Sequence, residues 1–337
     1  MVTYTAGNRV VKYVKTIGKR AAPGFSQMAD FALAKDGWLY VINRAYEYLP
    51  RTKGISIVTI NEDYVSKFST GGTGDGQMVW PTSLALDKDE NVYVADEHLQ
   101  RISVFSKDGE FLSKWGEAGD SDGQIDRPSG LAFDSEDNLF VVDSANSRIQ
   151  KFTKDGKFLA KWGQFGSGEG EFNLPWGIDI DKEDNVYIAD WRNNRVQKFS
   201  PDGKYLMTIG TPGVWTPRKP NHQEINTAPD GELNRPAGVA VDKDGDIWVT
   251  DNRNDRVEVF ASDGSFLLTL IGDATLTSMG IPQLDANPEM WEERAIADNL
   301  WMERLFWSPL AIAVDDENRV FVSETCRGRI QIYQKVS

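Results

Sequence analysis

The sequence predicts an all-β protein folded as a six-bladed β-propeller, and three observations carry that prediction. The first is a recurring pattern, Pro-x-Gly-φ-Ala-φ-Asp, four residues, three apolar residues, one further residue and Asp, with Arg five positions on (φ is apolar). Pro128–Asp143 (PSGLAFDSEDNLFVVD) followed by Arg148 is one copy, and Pro175–Asp190 (PWGIDIDKEDNVYIAD) followed by Arg195 is another. Further copies begin at Pro81, Pro236 and Pro309, and a degenerate one (MADFALAKDGWLYVIN) begins at Met28. A period of this size is the mark of a propeller or a related array. The second observation is that each unit holds four short apolar runs. In the third unit they are Leu131–Phe133, Leu139–Val142, Arg148–Phe152 and Lys157–Trp162. Four antiparallel strands per unit and six units make six blades. The third observation is a means of closing the ring. The last unit stops after three runs, and Arg9–Gly18 resembles the fourth run of the others, such as Tyr205–Gly210. The N-terminal stretch is therefore expected to supply the outer strand of the last blade and to protect its edge.

Taken in chain order, the elements follow from local chemistry. Asp-Gly pairs at Asp108-Gly109, Asp155-Gly156, Asp202-Gly203 and Asp263-Gly264 predict tight hairpins between third and fourth strands. Two connections are long. Residues 211–234 are Pro-rich (Pro212, Pro217, Pro220, Pro229) and carry Trp215 and His222, and residues 273–308 contain one helical pattern near 287–306. Asn287 is placed to cap it, Pro288 suits its first turn, and Glu289, Glu292 and Glu293 suit its N-terminal end. Met290, Trp291, Ile296, Leu300, Trp301 and Leu305 form its apolar stripe. The expectation is a lid of both insertions over the propeller mouth; the alternative is a dimer interface or a partner-docking helix. Because the repeat is continuous, residues 1–337 are expected to form one domain.

Composition narrows the function. The net charge of -14 argues against nucleic-acid binding by phosphate neutralisation. No apolar run is long enough to span a membrane. Cys326 is the sole cysteine, and residues 7–20 are polar and basic without a leader pattern. These features suggest a soluble, cytoplasmic protein.

The repeated Asp-x4-Arg-Ile/Val-Gln-x-Phe, as in Asp143–Phe152, resembles the NHL repeat. The resemblance covers nearly the whole chain. It implies a six-bladed propeller, and it implies company that includes peptidyl-hydroxyglycine amidating lyases, streptogramin lyases, and RNA- and protein-binding modules. Gluconolactonase-like enzymes share the architecture. The amidating lyases bind zinc through several histidines. Here only His98 and His222 exist, so a three-His zinc site is not expected. A calcium or magnesium site of the gluconolactonase kind would draw on Asp30, Glu97, Asp179 and Glu324.

The chain can also be compared with itself, unit against unit. The closing acid and its Arg recur as Asp96/Arg101, Asp143/Arg148, Asp190/Arg195, Asp251/Arg256 and Glu324/Arg329, so they are read as structural. Residues that break their column are the functional candidates. Asp30 replaces a small residue near the channel, and Asp179 replaces the repeat Ala; with His98 on a mouth loop they are the acid/base candidates. Arg44, Arg192, Arg253 and Arg235 stand at the mouth, with Trp176, Trp191 and Trp301 as flat apolar partners. Arginine forks suit carboxylate or phosphate, and tryptophan suits an apolar body. The expected function is a lyase or hydrolase acting on a small anionic organic molecule. The alternative is a non-catalytic scaffold that binds a peptide or protein on the same face.

Overall fold

A computed structural model describes residues 2–19, 25–45, 50–214, 228–297 and 300–337. Six antiparallel sheets surround an axis. Blade 1 is Met28–Leu33, Trp38–Asn43, Gly54–Thr59 and Tyr64–Phe68; blade 2 runs from Pro81–Leu86 to Phe111–Trp115, and blade 3 from Pro128–Phe133 to Phe158–Trp162. Blade 4 runs from Ile178–Ile180 to Tyr205–Ile209, and blade 5 from Pro236–Val241 to Phe266–Leu270. In every blade the first strand is innermost. Blade 6 uses Pro309–Val314, Arg319–Glu324 and Arg329–Lys335, then takes Arg9–Ile17 as its fourth strand, antiparallel to the third with Lys12 opposite Gln334. The expected closure is thus present, and a fifth strand, Thr3–Ala6, folds back outside it.

The core is divided. Six apolar clusters lie among the described residues, one in each gap between neighbouring blades; the gap between blades 3 and 4, for example, holds Phe140, Val142, Phe172, Ile188 and Phe199. The Asp-Gly hairpins help to set the gaps. Each glycine is the fourth residue of its turn, as in Gly109 N–H to Ser106 C=O at 2.9 Å, and the next residues shift register. This is a turn with a bulge rather than a two-residue hairpin, and it needs a left-handed glycine. Gly109, Gly156 and Gly203 have φ of +91°, +84° and +83°. Each packs under the aromatic ring of the preceding blade's outer strand, Phe68, Trp115 and Trp162 respectively, where a side chain would collide at 2.4, 2.5 and 2.7 Å.

The closing acids do the structural work expected of them. Asp143 accepts from Arg148 Nε at 2.7 Å, from the Asp126 N–H at 2.7 Å and from Gln150 at 3.0 Å. Arg148 then donates to the carbonyls of Ser121 and Gln124 in the loop that leads into the blade. Asp190/Arg195, Asp251/Arg256 and Glu324/Arg329 repeat this clamp. Blade 2 departs from it, since Arg101 holds loop carbonyls but its Nε has no partner.

The helix expected near 287–306 is present as α2 (Pro288–Ile296), with short helical turns before and after it, α1 (Ile281–Asp285) and α3 (Leu300–Arg304). Ala297 turns to extended backbone and ends α2. These helices sit on the rim of blade 6. Asp273 and Thr275, at the start of the insertion, bond to Tyr4 and Tyr13 on the outermost strands, and Arg327 donates to the carbonyls of Met302, Glu303 and Leu305.

Inner strands approach most closely at the repeat glycine. A Cβ on Gly177 would lie 2.2 Å from the Ala237 carbonyl oxygen of the next blade. Gly177→Ala should therefore cost about 1–3 kcal/mol through overpacking, read as a lower urea midpoint with an unchanged slope.

Candidate functional site

The six inner strands enclose an axial channel of about 360 Å³. Its walls are largely backbone, because the inner edge of each inner strand has no neighbour in its own sheet. The exposed N–H and C=O groups must find other partners. A belt of side chains provides several. Thr82 donates to Pro128 C=O at 2.7 Å, Ser129 to Trp176 C=O at 3.0 Å, Thr250 to Leu310 C=O at 2.8 Å and Thr325 to Met28 C=O at 2.9 Å, each crossing to the next blade.

Asp30 and Asp179 both line this channel, on blades 1 and 4, which stand opposite each other in a ring of six. Asp30 is the third residue of its repeat and Asp179 the fifth of its own, so Asp179 lies about 7 Å deeper at ~3.3 Å per residue. Asp30 accepts from Ser83 Oγ at 2.7 Å and from the Leu84 N–H at 3.0 Å. Asp179 accepts from the Val241 N–H at 2.7 Å. Each carboxylate therefore also links its blade to the next. Water reaches both from the channel, yet protein surrounds them, and a charge there is poorly solvated. Burial pushes the Asp179 carboxyl up to about 7, opposed by the N–H groups of Val241 and Ile180 and reinforced by Asp181. Burial likewise pushes Asp30 up to about 6, opposed by Ser83, Leu84 and Phe31. Trp176 lines the channel just above Asp179, in the position where other blades carry Ala29, Thr82, Ser129, Ala237 or Leu310.

At the mouth the predicted residues separate into two poles. Trp191, Arg192, Arg235 and Arg253 gather at the junction of blades 4 and 5. The Arg235 guanidinium stacks on the Trp191 ring at 4.5 Å from its centroid, and Arg192 lies at 5.8 Å from the same ring. Burial, together with the charges of Arg253 and Arg192, pushes the Arg235 guanidinium below its ordinary range. Arg253 Nε is buried without a hydrogen-bond partner. Among the described residues no carboxylate forms an ion pair with any of these three arginines, in a chain whose net charge is -14. The sequence also places the 211–234 insertion beside this pole, but residues 215–227, with Trp215 and His222, lie outside the described residues.

The opposite pole is self-contained. Arg44 ion-pairs with Glu97 and lies over Trp80 at 5.4 Å, and Arg127 approaches the other Glu97 oxygen at 3.9 Å. Arg44 is thereby neutralised and is removed from the expected anion-binding set. Its partner stands in the same loop column one blade further on, and Trp80 and Arg127 occupy the column before the repeat Pro that also holds Arg235. His98 is exposed and packs edge-on against Trp80.

The expected calcium or magnesium ligands do not converge. Asp30 and Asp179 face each other across the channel at different depths, and Glu97 is engaged by arginines. Glu324 is fully buried under Arg329, Gln331 and the Trp307 N–H. Among the described residues no three His, Cys, Asp or Glu side chains gather as a metal site. No described residue of 273–308 lines the channel, and Trp301 is exposed. No described helix is long and apolar enough to cross a membrane.

Fold and channel together define a six-bladed β-propeller with a polar axial channel and a cationic pole at its mouth. A family model for a 6-bladed beta-propeller matches residues 120–216, and the NHL repeat model matches residues 233–260 and 306–333. The chain is an NHL-type six-bladed β-propeller. No curated protein matches it in sequence. Among solved structures it is similar to virginiamycin B lyase from Staphylococcus aureus, at 13% identity and a TM-score of 0.58 over 96% of this chain and 99% of that one. A gluconolactonase from Xanthomonas campestris aligns at 12% identity and 0.58 over 98% and 99%. A protein of unknown function from Bacteroides thetaiotaomicron aligns at 18% identity and 0.62 over 96% and 73%. Identities this low carry the fold alone.

The raised carboxyl in the channel has a measurable sign. Folded Asp179 keeps its proton up to about pH 7, while the unfolded chain releases it in the ordinary carboxylate range. The folded state therefore binds more protons in that window, and stability falls as pH rises through it. Asp179→Asn keeps an acceptor for Val241 and removes the charge. Its melting temperature should match the wild type near about pH 4 and exceed it by roughly a few degrees above pH 7; equal profiles would mean that Asp179 is ionised without penalty.

Proposed function

We propose that the protein is a small-molecule enzyme, a lyase or hydrolase, that takes an organic anion at the mouth of its channel. One observation carries this reading: Arg235 and Arg192 stack on Trp191, the charge of Arg253 bears on Arg235, and no carboxylate among the described residues neutralises them. Like charges held together in this way are unfavourable unless a ligand offsets them. Arg192, Arg235 and Arg253 would bind a carboxylate, phosphate or sulfonate, and Trp191 would hold its apolar body. Trp176 and Asp179 continue the same blade into the channel. A carboxyl pushed up to about 7 can give or take a proton at neutral pH, which suits it to general acid/base chemistry on a bond held above it. The similar folds of a virginiamycin B lyase and a gluconolactonase make that class reasonable for this architecture.

One observation favours the second reading, a binding scaffold. Asp30 and Asp179 both accept backbone N–H groups from the next blade, which is a structural task in itself.

The probe for the anion site is 2-naphthalenesulfonate, followed by tryptophan fluorescence. Arg192→Ala with Arg253→Ala should weaken its binding by roughly 10–100-fold, about 1.4 kcal/mol per tenfold, without lowering the melting temperature. Unchanged affinity would overturn the anion site. A panel of anionic lactones and esters, assayed for ring opening or elimination with Asp179→Asn as control, separates the readings. Turnover lost in the variant supports the enzyme, and binding without turnover supports the scaffold.

A further inference from the structure

Glu258 stands on the third strand of blade 5, where blades 3, 4 and 6 carry Gln150, Gln197 and Gln331. In those blades the amide has two duties. Its oxygen accepts a loop N–H, from Gly123 at 3.0 Å, Gly170 at 3.0 Å or Asp273 at 2.7 Å. Its nitrogen donates to a loop carbonyl, Gln124 at 2.6 Å, Glu171 at 2.8 Å or Arg304 at 3.4 Å. The same nitrogen donates to the closing acid, Asp143 at 3.0 Å, Asp190 at 3.5 Å or Glu324 at 2.9 Å.

Glu258 reproduces the accepting half. It takes the Gly231 N–H, and its Oε2 accepts from Thr269 at 3.2 Å. The donating half is missing a hydrogen. Oε1 takes the place of the amide nitrogen, is buried, and has no hydrogen-bond partner. Arg256 Nε lies 2.7 Å from it, but the hydrogen bond of that nitrogen goes to Asp251 Oδ2 at 2.9 Å. Asp251 already accepts from the Asn234 N–H at 2.7 Å, from Asn254 Nδ2 at 2.7 Å and from Arg256. Every contact of Asp251 is thus a donor, as a carboxylate requires, whereas Oε1 of Glu258 stands where its sister blades place an N–H.

We propose that Glu258 is a neutral carboxylic acid in the folded protein, and that its proton, bonded to Asp251 or to the Glu232 carbonyl, positions the two loops presenting Arg235 and Arg253. The link is short. The Asn234 N–H held by Asp251 belongs to the residue before Arg235, and Asn254, also held by Asp251, closes the turn that carries Arg253. Glu258 is therefore a positioning residue, and its role rests on the anion-site reading above. The groups facing it are Arg256 on its own strand, Asp251 on the second strand, Thr269 on the fourth, and the 228–232 loop, whose Asp230 lies beyond Thr269. Burial pushes the Glu258 carboxyl up to about 8; Arg256 opposes this and Asp251 adds to it. Ionisation above that pH sets a second negative charge beside Asp251 and breaks the donor link to the loop.

The test titrates 2-naphthalenesulfonate, whose charge is constant, from about pH 6 to about pH 9.5 into wild type and Glu258→Gln. The wild type should lose roughly 3–10-fold in affinity above pH 8, whereas Glu258→Gln should bind as the wild type does at pH 7 and stay flat, because glutamine is the residue of the sister blades. A Glu258→Gln profile that follows the wild type, or weaker binding by Glu258→Gln at pH 7, overturns the positioning role. Infrared spectroscopy tests the proton separately. The wild-type-minus-variant spectrum at pH 7 should contain a protonated-carboxyl C=O band that fades above pH 8, and its absence overturns the neutral acid. If the wild type does not bind the probe at any pH, the anion-site reading and the positioning role fall together, while the infrared band still decides whether Glu258 carries a proton.

Discussion

The clamp of an acid by an arginine five residues later organises this molecule. In each clamped blade a buried carboxylate at the end of the second strand receives the arginine of the third and a backbone N–H of the incoming loop, and the arginine holds that loop's carbonyls. A single ion pair, fully desolvated, would be a weak source of stability. Here each partner is also saturated with hydrogen bonds to the backbone, so the pair fixes the geometry of strand ends and loops together. The loops so fixed are those of the mouth face, and the residues that vary there inherit a rigid frame.

Within that frame the channel and the mouth obey different electrostatics. The channel is narrow and lined by backbone, so a carboxyl inside it is driven toward its neutral form. At the mouth one pole is neutralised, and the other carries positive charge with no ion pair among the described residues. Glu97 between Arg44 and Arg127 shows what an arginine at this face does when an acid is near. The trio of Arg192, Arg235 and Arg253 has no such acid among the described residues, and the contrast within one face gives the trio its meaning.

Much of the fold could be read from the sequence because the repeat states it six times. The Asp/Arg columns, the Asp-Gly turns and the borrowed strand Arg9–Ile17 were each visible as recurrence, and recurrence marks structure. The site was legible only in part. Asp30, Asp179 and Trp176 stand out as breaks in a column, and they do line the channel. Arg44 could not be told from Arg253 by sequence, because the difference is a carboxylate on the next blade. Glu258 is also a break in a column, Glu for Gln, but it hides in a strand where attention falls on packing.

Closure of blade 6 has a consequence for the order of events in folding. Its strand Arg9–Ile17 pairs with Arg329–Lys335, and Ser337 accepts the Val10 N–H, so the first blade-forming segment of the chain meets the last. During synthesis that segment must wait for its blade partner until Arg329–Lys335 has been made. Five blades can stack progressively on local contacts, but the ring becomes a ring only through a contact spanning almost the whole chain, the kind of contact that slows folding. Until then, strand edges lie open at both ends of an unfinished circle. The additional strand Thr3–Ala6, lying outside the join, seals the seam once it forms.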